Sequence, residues 1–264
     1  MKLLHRVRGK FNELFVFELQ DGYRIEGVLY RGDTLCVSTQ VGCPVRCVFC
    51  ASGRQGLIRN LNAEEIYGQY SLLKGIFPIK RIAMAGIGEP LLNWKSVKEA
   101  FLALHKEGLK ISFYTSGFPL NLLNELIDLP HNGLTISLHS LDPIIRKRIM
   151  PRAGDLYLLI SFLREKIPQL NKKRRKKISL AYILLKGINS SEKDLRALAE
   201  LARSLKVSVT LLSYNSTGGF DPVSGDDYER AFLFLRKKGV KVTLSSRFRR
   251  DSIGGCGTLT VGKK

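Results

Sequence analysis

The sequence predicts an α/β fold: an open (β/α)6 partial barrel of the TIM type with a small antiparallel β extension at its N-terminus. Three observations lead there. From residue 34 onward, short apolar runs alternate with helix-like segments, the pattern of a parallel sheet covered by helices. The runs are apolar along most of their length, as strands buried on both faces are. The strand–helix units number about six, too few to close an eight-stranded barrel. The first 33 residues read as hairpins, so the expected division is a β extension at 1–33 and the partial barrel at 34–264.

The elements follow in order. Phe15–Leu19 and Tyr23–Tyr30 read as strands around the turn at Asp21-Gly22, and Thr34–Val37 follows Arg31-Gly32-Asp33. Asn62, with Glu65 three residues on, opens a helix that carries Ile66 and Tyr67 to about Lys74. Strand Arg81–Ala85 precedes a helix over Ser96–Glu107, and strand Lys110–Tyr114 precedes a short helix over Leu120–Ile127. Strand Leu134–Leu138 is followed by a helix over Leu156–Glu165 and strand Ile178–Leu184. Leu195, Leu198, Leu201 and Leu205 mark the next helix. Strand Val207–Leu212, a helix carrying Tyr228, Phe232 and Leu235, and strand Val240–Leu244 complete the series. Chemistry on such a fold is expected where the strands end.

Composition narrows the partners. With 264 residues and 44% hydrophobic content, the chain can fill one substantial core. Its net charge of +20, from 43 Lys and Arg against 23 Asp and Glu, points to a polyanion. Nucleic acid is favoured over membrane, because no segment reads as a Trp- or Leu-faced interfacial helix. No hydrophobic run approaches a transmembrane span, and the start lacks the apolar core and cleavage site of a signal peptide. Of five cysteines, three are crowded together, which suits a reducing cytoplasm better than a secreted disulfide framework.

Those three, Cys43, Cys47 and Cys50, are the most telling feature. Three thiolates in so short a loop can wrap one polynuclear iron site. A [4Fe–4S] cluster ordinarily takes four cysteines; held by three, it keeps one iron open, as a catalytic metal site does. A zinc knuckle is the alternative, but it wants a fourth Cys or His, and the next histidine downstream is His105.

Other candidates fall at the same rim. After Arg81–Ala85 comes Gly86-Ile87-Gly88-Glu89-Pro90, where glycines admit a ligand to the backbone and Glu89 offers a carboxylate to a cation. Strand Leu134–Leu138 runs into His139, and Val207–Leu212 into Ser213-Tyr214-Asn215, whose amide can read a ribose or an adenine edge. Cys256 sits in the glycine-rich string Gly254-Gly255-Cys256-Gly257, where a thiol can approach a cofactor and act as a nucleophile.

Together these residues resemble the RlmN/Cfr group of radical S-adenosylmethionine (SAM) RNA methyltransferases, which methylate an adenine carbon. The likeness spans roughly residues 15–260. It takes in Cys36 through Cys43, the Cys-x3-Cys-x2-Cys loop, Gly56 through Leu61, Gly86 through Asn93, Thr115-Ser116-Gly117 and Ile136 through His139. It continues with Arg146 through Pro151, Tyr182 through Asn189, Asp251 and Cys256-Gly257. The resemblance implies that Cys43, Cys47 and Cys50 ligate one [4Fe–4S] cluster whose open iron is chelated by SAM. It places Gly88, Glu89, Tyr114, Ser137, Leu138, His139 and Asn215 at SAM, and makes Cys256 the methyl carrier. Cys36 becomes the resolving thiol, and Glu26 aligns with a proton acceptor.

The chemistry implied uses two SAM per turnover. One methylates the Cys256 thiolate by displacement. The second is cleaved to a 5′-deoxyadenosyl radical, which takes hydrogen from the S-methyl group. The carbon radical then adds to an electron-poor amidine carbon of adenine, carbon 2 or carbon 8. Glu26 or Cys36 removes the ring proton, and Cys36 attacks Cys256 to form a disulfide and release methyladenosine. An electron donor such as flavodoxin or ferredoxin is implied.

The sequence also departs from the family. Both branches carry an N-terminal RNA-binding accessory domain, whereas this chain begins almost at the catalytic core, so a short form is expected. Tyr114 stands where the family has serine, and Gly254-Gly255 where it has alanines. Without the accessory domain, rRNA or tRNA would be held by distributed charge. Arg247, Arg249 and Arg250 are placed for phosphates near the target base, while the run Lys172–Lys177 falls in a loop at the other end of the barrel. Rival readings are a radical SAM methylase of a non-RNA substrate, a zinc-dependent RNA-binding protein, and a member silenced by Tyr114.

Overall fold

The computed structural model describes residues 1–263. An antiparallel meander opens the chain: β1 (Lys2–Arg8), β2 (Asn12–Glu18), β3 (Tyr23–Tyr30) and β4 (Thr34–Val37). A hairpin, β5 (Gln40–Gly42) and β6 (Leu57–Asn60), brackets the cysteine loop. Helix α1 (Ala63–Ser71) follows, then β7 (Arg81–Met84), α2 (Trp94–Lys106), β8 (Lys110–Thr115), α3 (Leu120–Asp128) and β9 (Gly133–Ser137). Three helices come next, α4 (Pro143–Ile149), α5 (Leu156–Gln169) and the single turn α6 (Lys172–Arg175), before β10 (Ile178–Leu184). Helix α7 (Glu192–Leu205), β11 (Ser208–Ser213), α8 (Gly225–Lys237), β12 (Val242–Leu244) and β13 (Gly262–Lys263) end the described chain.

Strand β4 joins the two halves of the sheet. It pairs antiparallel with β3 through Val28↔Cys36 and parallel with β7 through Cys36↔Ala83. Parallel pairing then runs β7-β8-β9-β10-β11-β12, and β13 returns antiparallel onto β3. The barrel is open: β12 is not paired back to β1. Phe15, Phe17 and Ile25 of the meander pack into the same core as Phe113, Leu180 and Leu198. Strands β7, β9 and β10 are buried along most of their length, which explains their nearly continuous apolar sequence, whereas β12 at the sheet edge is half-exposed.

The expected helix start at Asn62 is a real cap: Asn62 and Glu65 form a reciprocal capping box on α1. Ser191 with Asp194 forms another on α7, which the sequence reading did not name. Leu195, Leu198, Leu201 and Leu205 are the buried stripe of α7. The sequence reading missed β1, a charged edge strand with Lys2, Arg6 and Arg8 and little apolar alternation. It also missed α4, whose start at Asp142-Pro143 is legible but whose seven residues are too few to show a period. The run Lys172–Lys177 includes α6 where a loop was expected. Arg174 donates to the Ile127 and Asp128 carbonyls at 3.0 and 2.7 Å, so it satisfies the open end of α3.

Candidate active site

The C-terminal ends of the parallel strands surround a cavity of about 220 Å³. The hairpin β5–β6 holds the base of the cysteine loop, where the Cys43 N–H donates to Gly56 O at 2.9 Å. Cys50 N–H donates to Cys47 O at 3.1 Å, and Val48 N–H donates to Ile149 O at 3.0 Å, tying the loop to the end of α4. Cys43, Cys47 and Cys50 all line the cavity. Burial pushes all three thiols up, Cys43 to about 12, and the charges of their neighbours add to it. Among the described residues, no three His, Cys, Asp or Glu side chains converge where one ion would sit. Three thiols of one short loop around a shared space are a donor set that fits an iron–sulfur cluster.

Opposite the cysteine loop, Gly88 and Glu89 follow β7. Gly88 has φ +116, and a Cβ there would stand 2.6 Å from Thr39 Oγ1, so the turn admits only glycine. Glu89 is buried and lines the cavity. Its carboxylate accepts from Ser116 N–H at 2.7 Å, Leu91 N–H at 3.2 Å and the Thr115 hydroxyl. Burial raises its pKa, and these donors offset only part of the rise. Ser137 ends β9 and His139 follows it, both in the cavity wall. His139 has φ +60, its Nδ1 accepts from Ile183 N–H at 3.1 Å, and Phe49 packs edge-on with centroids 5.0 Å apart. Burial, with Arg146 nearby, holds its pKa down to about 3, so the ring is neutral.

The C-terminal segment brings Cys256 to the same space. Ala51 N–H donates to Gly257 O at 2.8 Å, locking this loop beside the cysteine loop. A Cβ on Gly255 would lie 2.4 Å from Asp251 O, so the loop has no room for a side chain there. Cys256 is exposed. Arg249 Nη1 lies 4.0 Å from its sulfur, the guanidinium stands 5.0 Å over the Tyr114 ring, and Nη2 donates to the Tyr114 hydroxyl. Cys36, on β4, also lines the cavity, and burial with Cys256 nearby pushes its thiol up to about 12. All five cysteines are free.

Cys36, Cys43, Cys47, Cys50, Gly88, Glu89, Tyr114, Ser137, His139, Arg249 and Cys256 therefore share one cavity. Other expected residues lie elsewhere. The Leu138 side chain is in the core. Asn215 turns its amide to the Arg249 and Cys256 carbonyls rather than into the cavity. Glu26 bonds Thr260 N–H at 2.7 Å and its hydroxyl at 3.3 Å, outside the cavity lining. Arg247 stacks over Phe11 and Phe248, and Arg250 lies at the surface. Sequence reasoning missed Thr115 and Ser116 as partners of Glu89. It also left Arg146 without a role.

The sequence profile of the Radical SAM superfamily matches residues 37–194. A dual-specificity RNA methyltransferase RlmN from Solidesulfovibrio magneticus is 35% identical over 267 residues, which cover 93% of this chain and 74% of the relative. The chain belongs to the RlmN family of radical SAM RNA methyltransferases. A probable RlmN from Chlorobaculum tepidum is 34% identical, with 97% of this chain and 72% of the relative covered. A solved radical SAM methyltransferase from Sphaerobacter thermophilus superposes with a TM-score of 0.86 at 29% identity, over 98% of this chain and 80% of that one. RlmN family membership makes this a SAM-dependent radical enzyme acting on RNA, and it implies an iron–sulfur cluster and SAM as cofactors. Among the described residues, no helix is long and apolar enough to cross a membrane.

Proposed function

We propose that this RlmN-family enzyme methylates an amidine carbon of an RNA adenosine by way of a methylated Cys256 and a covalent protein–RNA adduct. The observation that carries the reading is that Cys36 and Cys256 line the same cavity as Cys43, Cys47 and Cys50. Those three thiolates would hold a [4Fe–4S] cluster, with Glu89, Ser137, His139 and the Gly88 turn shaping the SAM pocket beside it. Bound there, the cluster and SAM supply the electron, the methyl group and the hydrogen-abstracting radical.

The chain's own residues then have defined tasks. The exposed Cys256 sulfur, on a loop pinned by Asn215 and by the Ala51–Gly257 bond, accepts the methyl group and becomes the covalent link to RNA. Arg249, beside that sulfur and braced by Tyr114, supplies positive charge where the RNA phosphate enters. Cys36 attacks the Cys256 sulfur, the Cys36–Cys256 disulfide forms as the sulfur–carbon bond breaks, and external thiol reduces it. Of the two groups considered for the ring proton, Cys36 lines the cavity and Glu26 does not. The adenosine must be unstacked to reach this depth.

The test is mass spectrometry of adenosines from RNA treated with reduced enzyme and trideuteromethyl SAM. Methyladenosine retaining two of the three methyl deuteriums is expected. RNA without label, under conditions where SAM is consumed, overturns the substrate assignment. The position of the methyl, carbon 2 or carbon 8, is read from the same digest.

A further inference from the structure

Arg146 is an arginine in the molecule's interior, 2% exposed, yet it belongs to no ion pair among the described residues. Burying a guanidinium is costly unless the charge finds an anion. Its hydrogen-bonding need is met in full by neutral groups. Nε donates to Leu138 O at 3.2 Å, Nη1 to Gly154 O at 3.0 Å and Ala153 O at 3.4 Å, and Nη2 to Ser116 O at 3.3 Å and Ala153 O at 3.4 Å. Carbonyl dipoles seat the fork, but they leave a net positive charge inside the protein.

That charge lies behind the wall of the cavity, whose lining does not include Arg146. It abuts the cavity wall at Ser116, whose carbonyl accepts from Nη2 and which lines the cavity together with Cys47 and His139. The Val48 N–H to Ile149 O bond at 3.0 Å joins α4, which carries Arg146, to the cysteine loop next to Cys47. Burial pulls the Arg146 pKa down to about 10, and first Cys47, then Asp155, act in the opposite direction. Asp155 is exposed and its carboxylate caps Leu158 N–H at 2.9 Å, so it is screened by water. The Val48–Ile149 bond keeps the Cys47 loop against α4, so a cluster held there would put its negative charge across the wall from Arg146.

We propose that Arg146 is a positioning residue whose buried, carboxylate-free charge raises the reduction potential of a [4Fe–4S] cluster held by Cys43, Cys47 and Cys50. Reduction adds one negative charge to the cluster. A cation behind Cys47, in a low-dielectric wall, stabilises that added charge and leaves the oxidised state less favoured by comparison. The same carbonyl bonds tie the rim loops at Ser116, Leu138 and Ala153–Gly154 together, so the charge is held at a fixed place. The cluster therefore accepts its electron from a weaker donor than it otherwise would.

The inference rests on the ligand role proposed for the three cysteines, and the two fail differently. If wild-type protein reconstituted with iron and sulfide holds no cluster, the ligand role is lost. If cluster-replete variants keep the wild-type midpoint, this inference is lost. The experiment is an anaerobic redox titration followed by the electron paramagnetic resonance signal of the reduced cluster, on wild type, Arg146→Gln and Arg146→Lys. The neutral variant is expected to shift to more negative potential, with a reduced-to-oxidised ratio about tenfold lower at a given potential, or ~59 mV for one electron. Arg146→Lys, which keeps the charge, is expected to stay within about threefold of wild type. A purely structural arginine predicts the reverse: either no shift in both variants or an equal shift in both. If the glutamine variant does not fold, Arg146→Met takes its place, since apolar side chains of similar length often substitute for buried charge. A wild-type midpoint in that variant overturns the proposal equally.

Discussion

The side-chain amide of Asn215 donates to the main-chain oxygen of Cys256 at 2.9 Å, and the same nitrogen donates to Arg249 O at 2.7 Å. One side chain at the end of β11 thus fixes the loop that presents the proposed methyl carrier. Asn215→Ala is expected to slow methylation by about 10- to 100-fold, because a misplacement near 1 Å costs about that much. Cluster absorbance and thermal stability should change little. Wild-type turnover in that variant would show that the loop is held by its other bonds.

Cys256→Ala should abolish methylation while leaving iron content intact, because Cys256 lies outside the triplet loop. Cys36→Ala should instead accumulate protein cross-linked to RNA, visible as a shifted band on a denaturing gel. Free methylated RNA released by the Cys36 variant would remove the resolving role.

Burial, with Cys256 nearby, pushes the Cys36 thiol up to about 12. At neutral pH its reactive thiolate is scarce, and its population grows with pH. Release of RNA from the adduct should therefore accelerate by up to about tenfold per unit between about pH 7 and 9. Single-turnover chase of the adduct across that range measures it. A flat profile would show that another step limits release.

RNA binding should be strongly salt-dependent. If about five phosphates are neutralised, affinity should fall roughly a hundredfold between ~50 and ~200 mM salt. Filter binding or anisotropy with a labelled single-stranded RNA measures the slope. A slope near zero would rule out distributed charge as the holding force.

Asp251 carries a stability test. Although burial opposes its charge, donors led by the Phe11 N–H at 2.7 Å, with Ile253 and Asn12, hold its pKa below the usual carboxylate range. A depressed folded pKa means that its contribution is complete above the unfolded value and disappears as pH falls through the folded one. Asp251→Ala should cost about 2–3 kcal/mol near neutral pH, with the difference from wild type narrowing in acid. Urea melts at neutral and acidic pH give both numbers. A difference that stays constant into acid would contradict this role.

Most parallel strands could be read because they are buried on both faces and so keep an apolar signature. The helix start at Asn62 could be read because capping is local chemistry. Strand β1 could not, since a charged edge strand gains its conformation from pairing with β2. The triplet Cys43, Cys47 and Cys50 was legible because its chemistry is set by short spacing. That Glu26 turns to Thr260 and Asn215 to the Cys256 loop was not, because both partners are distant in sequence.

Local order alone settles the cysteine triplet, the Gly88 turn and the succession of strands and helices, because each depends on neighbours a few residues away. Long-range packing alone decides that Cys36 and Cys256 open onto one space. It also decides that Arg249 braces against Tyr114 and that Arg146 is buried without an acid. Those relations depend on how the curved sheet and the returning C-terminal segment close around a common volume.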